Sequence, residues 1–152
     1  PLLVRSTDGI NYSLITELAV TGNEADIEFL ADGSMMVVIR AVWGNGYIGR
    51  SQYPYTKWGW KNCEYLVHCP DIITLDGQIF VAARGFDGTM LYHIMDNQVL
   101  SPIYAFQGRG DNAYPSLIRV NDELWMSYYA GTGETSIYFV RIPISKIFSR
   151  LE

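Results

Sequence analysis

Six residues of this 152-residue chain stand out as a possible set of chemical groups. Glu24, Cys69 and Tyr114 follow one another at intervals of 45 residues. Arg40, Arg84 and Tyr129 follow at intervals of 44 and 45. A carboxylate and a phenol can carry protons. Guanidinium groups hold carboxylates through paired, charge-assisted hydrogen bonds. If the period reflects a structural repeat, each trio occupies equivalent places in it. Two proton carriers and two anion binders are then aimed at one point. Spacing predicts the place and is silent about the ligand.

The elements around these residues read as strand, acidic turn, strand. Asp26 to Arg40, Asp71 to Arg84 and Ser116 to Tyr129 each show two short runs rich in Val, Ile, Phe, Trp or Tyr. They are joined by Asp32-Gly33, Asp76-Gly77 and Asn121-Asp122, which are hairpin signals. More strand-like sequence follows each hairpin, at Tyr47 to Ser51, Met90 to Met95 and Ser136 to Ile142. No stretch holds a 3.6-residue period, and Ser145 to Leu151 has room for a helical turn at most. The chain is therefore expected to be all-β. A period of about 45 residues with about four strands per unit predicts β-propeller blades, each a four-stranded antiparallel sheet. Glu24, Cys69 and Tyr114 then sit just before the innermost strands, which line the central channel. Arg40, Arg84 and Tyr129 sit at the outlet of the next strands.

The expected division is residues 1–21 as two outer strands, then blades at 22–66, 67–111 and 112–152. About three and a half blades do not close a ring, which takes roughly four to eight. The expectation is a portion of a longer propeller; the alternative is a homodimer whose two copies complete one ring. Composition, with 49% apolar and 18% charged residues, is that of a folded domain. The net charge of −5 and the lack of a basic cluster argue against nucleic acid or an anionic membrane surface as partner. No apolar run approaches the ~18 residues of a membrane span, and no signal peptide is visible. Cys63 and Cys69 are read as buried free thiols rather than a cross-strand disulfide, and no metal or cofactor is expected. His68 and His93 have no triad-like partner and are read as packing or surface residues. Arg109-Gly110-Asp111 is discounted as a chance tripeptide. Trp43, Trp58, Trp60, Tyr53 and Tyr55 are assigned mostly to blade packing, with sugar stacking as the alternative.

The residues also carry a family resemblance. Gly22-Asn23-Glu24, Asp32-Gly33 and Arg40 resemble a stretch of the sialidase superfamily in which a Glu precedes a substrate-binding arginine by 16 residues, the spacing of Glu24 and Arg40. Asp111-Asn-Ala-Tyr-Pro-Ser-Leu117 resembles the stretch carrying the sialidase tyrosine nucleophile, which falls on Tyr114. Ser6-Thr-Asp-Gly-Ile-Asn-Tyr12 resembles a degenerate Asp-box turn, in which Asp8 is structural. Gly46 to Ser51, Pro54 to Trp58 and Glu134 to Tyr138 resemble a bacterial sialidase-like branch. The resemblance implies the C-terminal half of a six-bladed propeller from an exported bacterial protein that acts on glycans. It implies Tyr114 and Glu24 as the catalytic pair and Arg40 as binder of the substrate carboxylate. Arg84 is a second binder, although Ala83-Arg84-Gly85-Phe86-Asp87 departs from the family pattern. A tyrosine nucleophile suits a sugar that carries its own negative charge. The family's first arginine and its Asp general acid have no counterpart here, so this chain alone is expected to be inactive.

Three functions fit these residues. The first is removal of a terminal acidic sugar. The second is action of the same kind of propeller on another glycan; a substrate without a carboxylate leaves Arg40 and Arg84 in need of other partners. The third is a non-catalytic carbohydrate- or protein-binding propeller. A five-bladed glycosidase built on three carboxylates fits poorly, because Glu24 is the one acidic residue among the channel positions.

Overall fold

The computed structural model describes residues 1–108, 110–132 and 134–151. Its strands are β1 (Leu2–Ser6), β2 (Tyr12–Glu17), β3 (Gly22–Phe29), β4 (Met35–Ala41), β5 (Tyr47–Ser51), β6 (Gly59–Asn62), β7 (His68–Leu75), β8 (Gln78–Arg84), β9 (Thr89–Ile94), β10 (Leu100–Ala105), β11 (Asp111–Val120), β12 (Glu123–Thr132) and β13 (Glu134–Pro143). A helix, α1, spans Ile144–Phe148. The strands form four antiparallel sheets in chain order: β1-β2, β3-β4-β5-β6, β7-β8-β9-β10 and β11-β12-β13. The fold is all-β, a partial β-propeller.

The second strand of each full sheet is buried on both faces, so apolar side chains fill it apart from Arg40 in β4 and Gln78 and Arg84 in β8. In β4, Met36 and Val38 pack toward the following sheet, while Met35, Val37 and Ile39 pack toward β1-β2. In β8, Val81 and Ala83 face back to the β3–β6 sheet, and Phe80 and Ala82 face forward to the last sheet. Each sheet-to-sheet interface is thus a hydrophobic cluster of its own. Trp58 and Trp60 stack with centroids 5.5 Å apart. A Cβ on Gly49 would lie 2.5 Å from the Trp60 ring, so glycine is required there.

The first sheet has two strands, β1 and β2. One sheet departs from the four-strand expectation. The last has three, because β13 ends at Pro143 and the chain turns into α1, where Ile144 and Ile147 are buried against the last interface. β7 lies between β3 and β11, so these three strands stand side by side as the innermost set.

Candidate functional site

Each innermost strand opens with a register break in its pairing. The breaks fall between Gly22 and Ala25, His68 and Asp71, and Ala113 and Ser116. Glu24, Cys69 and Tyr114 sit inside these breaks. A bulge re-aims a side chain that regular pairing would hold in the sheet. Cys69 and Tyr114 both adopt left-handed backbone angles, φ 51° and 50°, a strained conformation for residues with a Cβ. The three side chains line one open cleft of about 640 Å³ together with Asp26, Asp71 and Ser116.

Glu24 organises one side of the cleft. Its Oε2 accepts hydrogen bonds from Arg40 Nη1 at 3.0 Å and from the Cys69 backbone N–H at 2.8 Å. Burial alone would raise its pKa, but these two donors outweigh it and hold the carboxyl below its ordinary value. Arg84 organises the other side. It donates to Asp111 Oδ1 at 2.7 Å and meets His68 Nδ1 at 2.9 Å. Tyr129 donates its hydroxyl to Asp111 Oδ2 at 2.6 Å, and its ring stacks on Tyr114 with centroids 6.0 Å apart. Burial, then the charges of Arg40 and Arg84, depress the His68 pKa, which favours the neutral ring. The Cys69 sulfur, followed by the Glu24 charge, raises the Tyr114 phenol above its ordinary value. Cys69 itself is raised by burial and then by Glu24.

The four residues given catalytic or binding roles from the sequence all lie at this end of the sheets, Glu24 and Tyr114 on innermost strands and Arg40 and Arg84 on the strands beside them. Arg84 belongs to an adjoining cluster reached through Tyr129. His68 is a half-buried member of that cluster, with Arg84 as its hydrogen-bond partner. It stands opposite Arg84 in the β7–β8 register, a pairing the spacing of 16 could have revealed. Asp111, read from the sequence only as part of the stretch around Tyr114 and of a discounted tripeptide, is given no role of its own there. Arg109 lies outside the described residues. His93 matches its expectation, bonded to Gln78 and packed on Phe80. Cys63 and Cys69 are free and buried.

Glu24 is not the one acidic residue here. Period-two alternation puts Glu24, Asp26 and Glu28 on one side of β3. Asp26 Oδ2 accepts from Ile72 N–H at 2.8 Å, Glu28 Oε1 from Thr74 N–H at 3.0 Å, and Asp71 Oδ2 from Leu117 N–H at 2.9 Å. Carboxylates of one innermost strand thus satisfy amide groups at the edge of the next. Burial, with Asp26 alongside, raises the Asp71 carboxyl to about 6, although Leu117 N–H opposes this. Among the described residues, no group of three His, Cys, Asp or Glu is placed to hold a metal ion, and no helix is long and apolar enough to cross a membrane.

No family model matches the chain, and no curated protein matches it in sequence. Solved structures do. A protein from Bifidobacterium bifidum s17 proposed to be an exo-β-1,3-galactanase is 11% identical, with TM-score 0.67 over 91% of this chain and 57% of that one. An α-L-arabinofuranosidase of Clostridium thermocellum ATCC 27405 is 11% identical, with TM-score 0.65 over 93% and 57%. The Bacillus subtilis arabinanase Arb43A is 15% identical, with TM-score 0.57 over 92% and 62%. The chain therefore spans less than two thirds of the length of these structures. At such identities the likeness shows the propeller fold alone. None of these structures is named as a sialidase, so the likeness carries the propeller fold and not the sialidase resemblance drawn from the sequence.

Proposed function

We propose that this chain is part of a glycan-acting β-propeller and that a sugar ring occupies the cleft of Glu24, Cys69 and Tyr114. The observation that supports this best is the set of three equivalent bulges converging on one open, polar cleft with an exposed aromatic ring, Tyr114, at its mouth. An ionised carboxylate and a protonated phenol suit recognition of sugar hydroxyls, one accepting and the other donating. The structural neighbours, named for action on galactan, arabinan or arabinofuranosides, support a neutral sugar.

The partners of the arginines support the same choice. Arg40 is held by Glu24, and Arg84 by Asp111 and His68. A sugar without a carboxylate leaves these pairs intact. The finer reading is removal of a terminal acidic sugar, with Tyr114 as nucleophile, Glu24 as its base and both arginines as carboxylate binders. It requires Arg40 to release Glu24. It also requires a phenol more acidic than usual, whereas Cys69 and Glu24 make Tyr114 less so. Titration calorimetry of the chain with arabino-, β-1,3-galacto- and xyloglucan oligosaccharides and with sialyllactose tests both. The expected result is binding of a neutral oligosaccharide, weakened about ten-fold in Tyr114→Ala. Tighter binding of sialyllactose than of every neutral sugar would restore the acidic-sugar reading. Absence of any sugar binding would refute the glycan reading.

A further inference from the structure

Seven exposed apolar side chains have a position that accounts for them. Val4, Leu14, Ile27 and Phe29 lie between β1-β2 and β3. Ile118, Ile137 and Phe139 lie on the last sheet. In a propeller, neighbouring blades cover such faces. Trp43 and Phe86 belong to neither group, yet they are 90% and 85% exposed. The other tryptophans all have partners: Trp58 and Trp60 stack together, and Trp125 packs edge-on against Phe139 beneath Arg141.

The two exposed rings occupy matching places. Trp43 is three residues past Arg40, in the β4–β5 connection; Phe86 is two past Arg84, in the β8–β9 connection. Gly22 stands opposite Ala41, and His68 opposite Arg84. Both connections therefore leave the sheets at the end where Glu24, Cys69 and Tyr114 sit. With about 4.8 Å between paired strands, each connection begins about one strand spacing from the strand that carries the cleft. Each ring is followed by a glycine in a backbone conformation that L side chains rarely adopt, Gly44 at φ 79° and Gly88 at φ 131°. The loops thus turn sharply just beyond the aromatic.

We propose that Trp43 and Phe86 are stacking platforms for the outer rings of an oligosaccharide whose first ring lies in the cleft. This rests on the glycan reading above and extends it to a substrate class, a neutral chain of several rings rather than a single sugar. A sugar ring has an apolar C–H face, and a flat aromatic side chain covers it at little conformational cost. Two platforms on successive blades would guide such a chain across the rim of the propeller.

The test uses the same calorimetry with paired ligands, each oligosaccharide against its own monosaccharide, on the wild type and on Trp43→Ala, Phe86→Ala and Tyr114→Ala. Both platform residues are exposed, so an unchanged thermal midpoint is expected and is checked first. Each platform variant should weaken the bound oligosaccharide about ten-fold and leave monosaccharide binding unchanged. Tyr114→Ala should weaken both. Oligosaccharide docking should also shift the tryptophan emission of the wild type, and Trp43→Phe should abolish that shift. Unchanged oligosaccharide affinity in both platform variants, with the wild type binding normally, overturns the platforms and leaves the cleft reading standing. Equal losses for monosaccharide and oligosaccharide overturn them too. A wild type that binds no sugar overturns both readings.

Discussion

Replacing Asp71 by asparagine is expected to stabilise the protein at neutral pH. Asp71 lies within the interface between β7 and β11, with Leu117 N–H on its Oδ2 and Asp26 alongside. Its carboxyl is raised from an ordinary 3.8 to about 6, first by burial. A carboxyl that binds its proton more tightly when folded makes its full contribution to stability below about pH 4. It loses that contribution as the pH rises through about 6. At roughly 1.4 kcal/mol per pH unit the full shift corresponds to about 3 kcal/mol; solvent reaches this half-buried carboxyl and screens part of that, so the folded state at pH 7.5 carries a penalty of about 2–3 kcal/mol from ionising it. Asparagine keeps an oxygen for Leu117 N–H and offers an amide to Asp26, and it never ionises. Urea unfolding followed by tryptophan fluorescence, for both proteins from pH 4 to 7.5, reads the difference directly. Other groups that titrate in this window, His68 among them, do so in both proteins and cancel. The variant should match the wild type near pH 4 and exceed it by about 2–3 kcal/mol at pH 7.5. A difference that stays flat with pH, or a variant less stable at pH 7.5, would refute the reasoning.

Two further outcomes follow from the same geometry. Glu24→Ala strands the Arg40 charge and leaves the Cys69 N–H without its acceptor. About a quarter of each charged side chain reaches solvent, so screening holds the expected loss to about 1–2 kcal/mol. Glu24→Gln should lose about half as much, because its amide oxygen still accepts from Cys69, and equal urea midpoints for the two variants would count against this account. Cys63 and Cys69 are buried, and burial raises both thiols above their ordinary pKa. Neither should react with Ellman's reagent in the native protein at pH 7.5, and both should react after denaturation. A rapidly reacting native thiol would mean that the cleft opens at Cys69.

The likeness to solved propellers and the short sequence motifs both read the same scaffold. The hairpin that begins at Asp26 and ends at Arg40 must carry an acidic turn, a strand buried on both faces and a polar residue at the channel outlet, whatever the blade binds. A match to one superfamily on those features reports blade architecture. The contacts that separate the functions are elsewhere, in what holds Arg40 and Arg84 and what lies against Tyr114.

Several features were legible in the chain itself. Period-two alternation and the turn residues determined the strands, and the 45-residue period determined which residues stand at equivalent places. These are local properties, fixed by backbone sterics and by the need to bury alternate side chains. Tertiary structure decided the rest. The pairing of Arg84 with Asp111 spans 27 residues. The hold of Glu24 on Cys69 N–H and of Asp71 on Leu117 N–H spans 45 and 46. Such contacts depend on how far one sheet is rotated against the next, and no periodicity within a strand encodes that angle. The bulges that aim Cys69 and Tyr114 into the cleft arise where the pairing register breaks. The exposure of Trp43 and Phe86, which have no ring partner among the described residues while the other three tryptophans do, is likewise visible only in the folded chain.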